Sequence, residues 1–353
     1  MIEKDEIKAI HYIEHIRRRP GMYIGRLGNG FDANDGLYVL LKEIIDNSVD
    51  EFRAGFGDDI IIKFDENRLS VRDFGRGIDF DRFEHFPERL ISIGDKNHIA
   101  NKTIGLSGLG LITVVSLSSD MTITGYKKGL MKRIATYRGK TVAIDEAIPT
   151  EERDGVSISF IPDNLIFGNY SIQEKHIINL LKQYSVCNPG LRLKFGDMTF
   201  HAPDGMKDLL SGIIGSNDSG NLIYIKNERC DIAIAPTDSE PGIIKSFVNG
   251  YPTESGGTDR YELIDALYAA LKSRIPFRLL KTDITSRFNM CINLHVENPV
   301  FESGNSRRLC SKNLTKDGIS IKEYLSQLIT GEIKSFYDTH PEAEKAILKA
   351  LSK

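Results

Sequence analysis

The apolar positions of this chain change period several times, and the changes mark out its elements. Ile7, Ile10, Ile13 and Ile16 recur at helical spacing. They predict a helix from about Lys4 to Arg18, broken by Pro20 and Gly21 in "RRRPGMYIG". "GLYVLLKEIIDNSVDEF" predicts a second helix over about Gly36–Phe52. "IIIKF", the turn "DENR" and "LSVRD" read as a hairpin. The run "LITVVSLS" after "GLSGLG" reads as helix, "MTITGY" and "VSISFI" as strands, and "IQEKHIINLLKQYSVCN" as helix. Around Ser211–Gly220 the composition shifts to Gly, Ser, Asn and Asp, which predicts a boundary between domains 1–215 and 216–353. The second part opens with the strands "LIYIK", "CDIAIAP" and "SFVNGY". It passes through the helix "YELIDALYAALKSRI" and the strand "FNMCINLHVE", and is helical from about Ile321. Strand and helix runs segregate rather than strictly alternate, so both parts are expected to be α+β layers.

Bulk composition narrows the function classes. At 353 residues and 41% hydrophobic content the chain has material for about two cores. A net charge of −3 argues against a heavily basic nucleic-acid binder, leaving room for a local basic patch. The apolar runs are too short to span a membrane, and "MIEKDEIKAI" is no signal peptide. Cys187, Cys230, Cys291 and Cys310 lie far apart without paired spacing, the usage expected of a reducing cytoplasm.

Three stretches carry candidate chemistry, and each has a plainer reading. Glu43, Asn47 and Asp50 fall in one narrow wedge of the second helix, opposite Leu37, Leu41, Ile44, Ile45 and Phe52. This is either a solvated polar face or a carboxylate base beside an amide oxygen that holds a divalent cation. "VRDFGRGID" ends a strand at Asp73 and then offers Gly75 and Gly77. It is either a plain turn or an acceptor for an amino group, with glycines admitting a flat ring. "GLSGLG", Gly105–Gly110, precedes an apolar helix: a linker, or backbone N–H groups gathered on a phosphate. It matches neither a Walker P-loop nor the dinucleotide fingerprint nor a nucleophile elbow.

The order of these stretches, with "RRRPGMYIG", "EIIDNSVDEF", "DFGRGID" and "NGYPTESGGT", resembles the GHKL ATPase superfamily. Within it the chain is similar to the B subunits of type IIA DNA topoisomerases, topoisomerase IV before gyrase. The resemblance implies a two-layer GHKL (Bergerat) sandwich followed by a ribosomal-protein-S5-like transducer domain. It implies ATP and Mg²⁺ as cofactors, with Glu43 as general base and Asn47 as the Mg²⁺ ligand. Asp73 would read the adenine amine, with Gly77 and Ile78 beside the ring. Gly105, Leu106, Gly108, Leu109 and Gly110 would form a lid over the phosphates, and Asp50 and Arg76 would support the site. It further implies a homodimer formed on ATP binding, DNA as a partner through Arg274, Arg278, Lys281 and Arg287, and an A-type topoisomerase subunit.

The chain departs from the family pattern at several positions. Ser306 stands where a transducer lysine reaches the γ-phosphate, with Arg307 and Arg308 as the nearest cations; Arg307 is the expected substitute. Val156 replaces a threonine near the adenine, Asp259 a histidine after "GGT", and Val39 a histidine before the base. These departures leave open a second reading, a nucleotide-dependent dimerisation clamp with little or no hydrolysis. Nothing in this sequence resembles a Toprim or cleaving-tyrosine module, so it is expected to be an excised ATPase–transducer fragment, with a natural stand-alone relative as the alternative. "HYIEH" (His11–His15) lacks the metalloprotease pattern and is expected to be an ordinary helix face.

Overall fold

A computed structural model describes residues 12–86, 110–215, 221–272, 274–302 and 308–351. The chain divides into two compact units, Met1–Ser185 with Gly190–His201, and Val186–Pro189 with Ala202–Lys353.

The first unit begins with α1 (residues 12–18), α2 (Gly21–Ile24) and α3 (Gly36–Arg53). The hairpin follows as β1 (Asp59–Asp65) and β2 (Arg68–Asp73), and a 3₁₀ turn spans Phe80–His85. Then come α4 (Gly110–Leu117), β3 (Ser118–Lys127), β4 (Leu130–Tyr137), β5 (Lys140–Ile144), β6 (Ile148–Pro149) and β7 (Gly155–Pro162). The unit is completed by α5 (Asn164–Phe167), α6 (Glu174–Cys187), whose last two residues fall in the second unit, β8 (Arg192–Phe195) and β9 (Met198–Phe200). Its sheet runs β5-β4-β3-β7-β2-β1-β8-β9, with β6 also paired to β4. Neighbours are antiparallel except β1 and β8, which run parallel with Ile60 opposite Leu193.

Burial alternates along β2, where Leu69, Val71 and Asp73 are buried and Arg68, Ser70 and Arg72 are half-buried. One face of the sheet is therefore covered by helices. Leu37, Leu41, Ile44 and Ile45 of α3, Ile112 and Val115 of α4, and Ile177 and Leu181 of α6 are fully buried. The sheet and its helices make the expected two-layer sandwich. Asp163, with no side-chain exposure, ties α1 to this frame: Arg17 Nη2 donates to it at 2.6 Å and Arg138 approaches at 3.2 Å. Arg17 Nη1 also donates to Ser116 O at the end of α4, 2.6 Å away.

The second unit contains α7 (Met206–Ile214), β10 (Ile223–Lys226), β11 (Cys230–Pro236), β12 (Ile244–Val248), β13 (Tyr251–Pro252) and α8 (Thr258–Lys272). It continues with α9 (Lys281–Arg287), β14 (Phe288–Leu294), α10 (Ile321–Thr339) and α11 (Pro341–Leu351). Its sheet runs β10-β11-β14-β12-β13. The strand β11 shows how the core is divided. Ile232 and Ile234 pack with Leu263 and Leu267 of α8 and Leu325 and Ile329 of α10. The alternate residues Ala233 and Ala235 pack with Met206 and Leu210 of α7. Both faces are covered, so burial does not alternate along the strand: Cys230–Ala235 are all buried, Asp231 among them.

Two expectations change. The units part at His201/Ala202 rather than at 215/216, because α7 runs into the expected boundary and its Met206 and Leu210 are buried in the second core. "SFVNGY" is not one strand but two, β12 and β13, turned at Asn249 and Gly250, both at positive φ.

Candidate nucleotide site

On α3 the helical period buries Leu40, Leu41, Ile44, Ile45, Ser48 and Val49. Asn47 is exposed within that run, and Glu43, one turn earlier, is half-buried. Glu43 abuts the start of α4: a Cβ built on Gly110 would lie 2.0 Å from Glu43 Oε2. Burial, reinforced by the charge of Asp46 and opposed by Lys42, pushes the Glu43 carboxyl up to about 7. Asp46 is buried on the same helix, accepting from Lys42 Nζ at 2.8 Å and from the Tyr184 hydroxyl of α6. A carboxyl that exchanges its proton near neutrality thus sits one turn from an exposed amide, the pairing expected where proton transfer meets a bound cation.

Asp73 closes β2 with 7% of its surface exposed. Its Oδ1 accepts from the backbone N–H of Gly75 (3.0 Å) and of Val156 (3.2 Å). Its Oδ2 accepts from Ser48 Oγ at 3.2 Å, which joins α3 to the strand end. Burial raises the Asp73 pKa and the two N–H groups pull it down. A carboxylate oxygen offers more than one lone-pair direction, so Oδ2 retains capacity for an amine donor. Gly77 follows at φ +71, where an added Cβ would lie 2.3 Å from Tyr126 O; only glycine passes there. Ile78 is half-buried beside it. Arg76 turns outward, forks onto Glu51 at 2.7 and 3.0 Å and lies 4.6 Å over the Phe56 ring.

Glu43, Asn47, Asp73, Gly77, Ile78 and Gly110 all belong to the first unit, and Glu43 meets Gly110 directly. Gly105, Leu106, Gly108, Leu109, Ser306 and Arg307 lie outside the described residues. Arg308, in the second unit, approaches Glu302 at 3.8 Å and lies 6.0 Å over the Tyr261 ring. Where a threonine hydroxyl was expected, Val156 contributes its backbone N–H. Asp259 is fully buried and accepts from Thr253 Oγ1. His15 bonds the Tyr23 hydroxyl at 2.8 Å, and no metal-holding cluster occurs among the described residues. Of the expected DNA contacts, Arg274 faces Asp338 (3.9 Å) and Glu344 (3.6 Å), Lys281 bonds Asp265 at 2.6 Å, and Arg287 pairs with Glu240.

Sequence reasoning missed Ser48, Glu51 and Arg72. Ser48 follows Asn47 by one residue, so its turn onto the strand needs tertiary context. Glu51 and Asp50 are adjacent carboxylates, and only the fold assigns Arg76 to Glu51.

Residues 32–163 match the family of histidine kinase-, DNA gyrase B- and HSP90-like ATPases. Over 310 residues the chain is 33% identical to the B subunit of DNA topoisomerase 4 from Borreliella burgdorferi, covering 87% of this chain and 51% of that protein. It is 28% identical over 386 residues to the B subunit of DNA gyrase from Thermotoga maritima, covering 98% and 58%. The chain therefore spans little more than half the length of these relatives. Its fold is similar to the 43K ATPase domain of Thermus thermophilus gyrase B, solved with an aminocoumarin, with a TM-score of 0.75 at 24% identity. That match covers 96% of this chain and 93% of the other. The ATP-binding domain of Francisella tularensis topoisomerase IV, solved with a small-molecule inhibitor, matches with a TM-score of 0.70 at 21% identity over 96% of each chain. No helix among the described residues is long and apolar enough to cross a membrane. Residues 32–163 thus carry a GHKL-type ATPase domain, and the chain as a whole is similar to B subunits of DNA topoisomerase 4 and DNA gyrase.

Proposed function

We propose that the first unit binds and hydrolyses Mg²⁺–ATP, as the ATPase part of a type IIA topoisomerase B subunit. The observation that carries this is Glu43, a carboxyl with a pKa of about 7 pressed on the start of α4, one turn from exposed Asn47. Glu43 accepts a proton from the attacking water as its oxygen bonds the γ-phosphorus and the bond to the β,γ-bridging oxygen breaks, giving ADP and phosphate. Asp73 accepts the adenine amine through Oδ2, and Gly77 and Ile78 border the ring. The resemblance assigns Gly105, Leu106, Gly108, Leu109 and Gly110 to phosphate binding.

An oxygen-only donor such as the Asn47 amide suits a hard cation that shares its ligands with a triphosphate. Mg²⁺ bound there supplies charge neutralisation at the phosphates. By analogy with the relatives, nucleotide-driven dimerisation gates DNA passage in concert with an A-type partner. The resemblance assigns the second unit the part of the transducer and Arg307 the part of the γ-phosphate lysine.

A phosphate-release assay tests this reading. Glu43→Ala is expected to lower turnover by about 10²–10⁴-fold while calorimetry still detects nucleotide binding. Undiminished turnover in that variant overturns the assignment of the base. Nucleotide-driven dimerisation without any phosphate release favours the non-hydrolysing clamp.

A further inference from the structure

Behind the Asp73 loop lies a stack of side chains that the hydrolysis chemistry does not use. The Arg72 guanidinium carbon lies 4.1 Å from the Tyr126 ring centroid and 4.6 Å from that of Phe74. Arg153 lies 4.4 Å over the same Phe74 ring. Arg72 and Asp73 are consecutive on β2, so their side chains take opposite faces of the sheet. Two guanidinium groups share one aromatic ring, and Arg72 is half-buried. Such crowding of like charge calls for specific compensation.

Beside the charges of Asp73 and Glu152, the compensation is made by backbone. Arg72 Nη1 donates to Asp73 O, and Arg72 Nη2 donates to Arg153 O. Arg153 leads directly into Gly155 and Val156, whose N–H holds Asp73 Oδ1 at 3.2 Å. Gly155 has φ +139, and a Cβ there would fall 2.3 Å from Asp73 O and 2.4 Å from Arg72 Nη1. Tyr126, whose ring also meets the guanidinium, presents the carbonyl that lies 2.3 Å from the Cβ position of Gly77. One side chain thus touches all three segments that surround Asp73: the end of β2, the entry to β7, and β3 behind Gly77. Only a guanidinium donates to two carbonyls while laying its face on a ring; a lysine ammonium does not.

We propose that Arg72 is a positioning residue for nucleobase selection. Its fork locks the Arg153–Val156 segment against the strand end and so fixes the direction of the Asp73 carboxylate. That carboxylate accepts from adenine, which carries an amine at C6, and opposes guanine, which carries a carbonyl there. The inference rests on the reading of Asp73 as the adenine contact.

The test is calorimetric titration of the full chain, in Mg²⁺, with non-hydrolysable analogues of ATP and of GTP. The unsubstituted chain is expected to prefer the adenine analogue. Arg72→Ala is expected to weaken adenine binding about tenfold and leave guanine binding unchanged, so that the preference shrinks. Arg72→Lys, which keeps the charge and loses the fork, should behave like Arg72→Ala. Arg153→Ala, which keeps the accepting carbonyl, should lose less. If Arg72→Ala retains the full adenine preference, whether both affinities fall together or neither does, the inference is overturned, since a merely structural role gives that result. If Arg72→Ala does not fold, Arg72→Lys carries the same two outcomes. Equal binding of both bases by the unsubstituted chain overturns the assignment of Asp73 itself, and the positioning role with it.

Discussion

Gly110 and Glu43 are so close that a single methyl group on the glycine would lie 2.0 Å from the glutamate Oε2. The start of α4 is therefore the wall that confines the Glu43 carboxylate. Gly110→Ala has room only if Glu43 changes rotamer or the helices part. It is expected to cut ATP turnover by at least about tenfold while costing no more than about 1–3 kcal/mol of stability. Phosphate release and thermal melting on the same preparation check both; turnover at the unsubstituted rate would show that the wall is not needed.

The raised pKa of Glu43 makes activity and stability respond oppositely to pH. As the proposed base, Glu43 must be ionised, so turnover should fall on the acid side with a midpoint near pH 7. Folding, by contrast, favours the protonated form, because the folded pKa of about 7 exceeds the ordinary 4.5. The stability cost of the ionised group is absent below pH 4.5, grows as pH rises to 7, and reaches at most about 3 kcal/mol. Glu43→Gln is thus expected to melt at a higher temperature than the unsubstituted chain at pH 8, with the gap closing towards pH 4. A gap that is constant with pH would refute the shifted carboxyl.

Gly77 combines φ +71 with a Cβ position 2.3 Å from Tyr126 O, a backbone atom that cannot swing away. Gly77→Ala is expected to destabilise the chain by about 1–3 kcal/mol in urea unfolding. It should also weaken nucleotide binding, since the loop after Asp73 must shift. A variant as stable as the unsubstituted chain would mean the turn has an alternative path.

Asp163 holds Arg17 and Arg138 from a site with no side-chain exposure. Because both arginines are partly exposed, Asp163→Ala is expected to cost about 2–3 kcal/mol, less than a fully buried pair. Increased proteolysis near residues 12–18 should accompany it, as Arg17 loses its 2.6 Å anchor. Asp163→Asn, which retains an acceptor for the Leu165 N–H, should lose less.

The local elements were legible from the periods of the apolar residues. The second helix, expected over about Gly36–Phe52, spans Gly36–Arg53, and the hairpin after it falls where its turn residues put it. The wedge of Glu43, Asn47 and Asp50 was legible for the same reason, because a helix fixes which residues share a face. The boundary was not. A Gly/Ser-rich composition marks where a chain can bend, but α7 is assigned by the depth at which Met206 and Leu210 are buried, against strands more than twenty residues away.

Sequence alone determined the residue types, their order and their facing within each element, since those follow from short-range geometry and fixed backbone periods. Tertiary structure decided what each side chain meets. It set Gly110 against Glu43, gave Arg76 to Glu51 rather than Asp50, brought Val156 to Asp73, and brought Arg72 onto two rings and two carbonyls. Each of those meetings joins segments distant in the chain. Burial and charge, which tune a carboxyl or hold an arginine, depend on distances in space that no local pattern encodes.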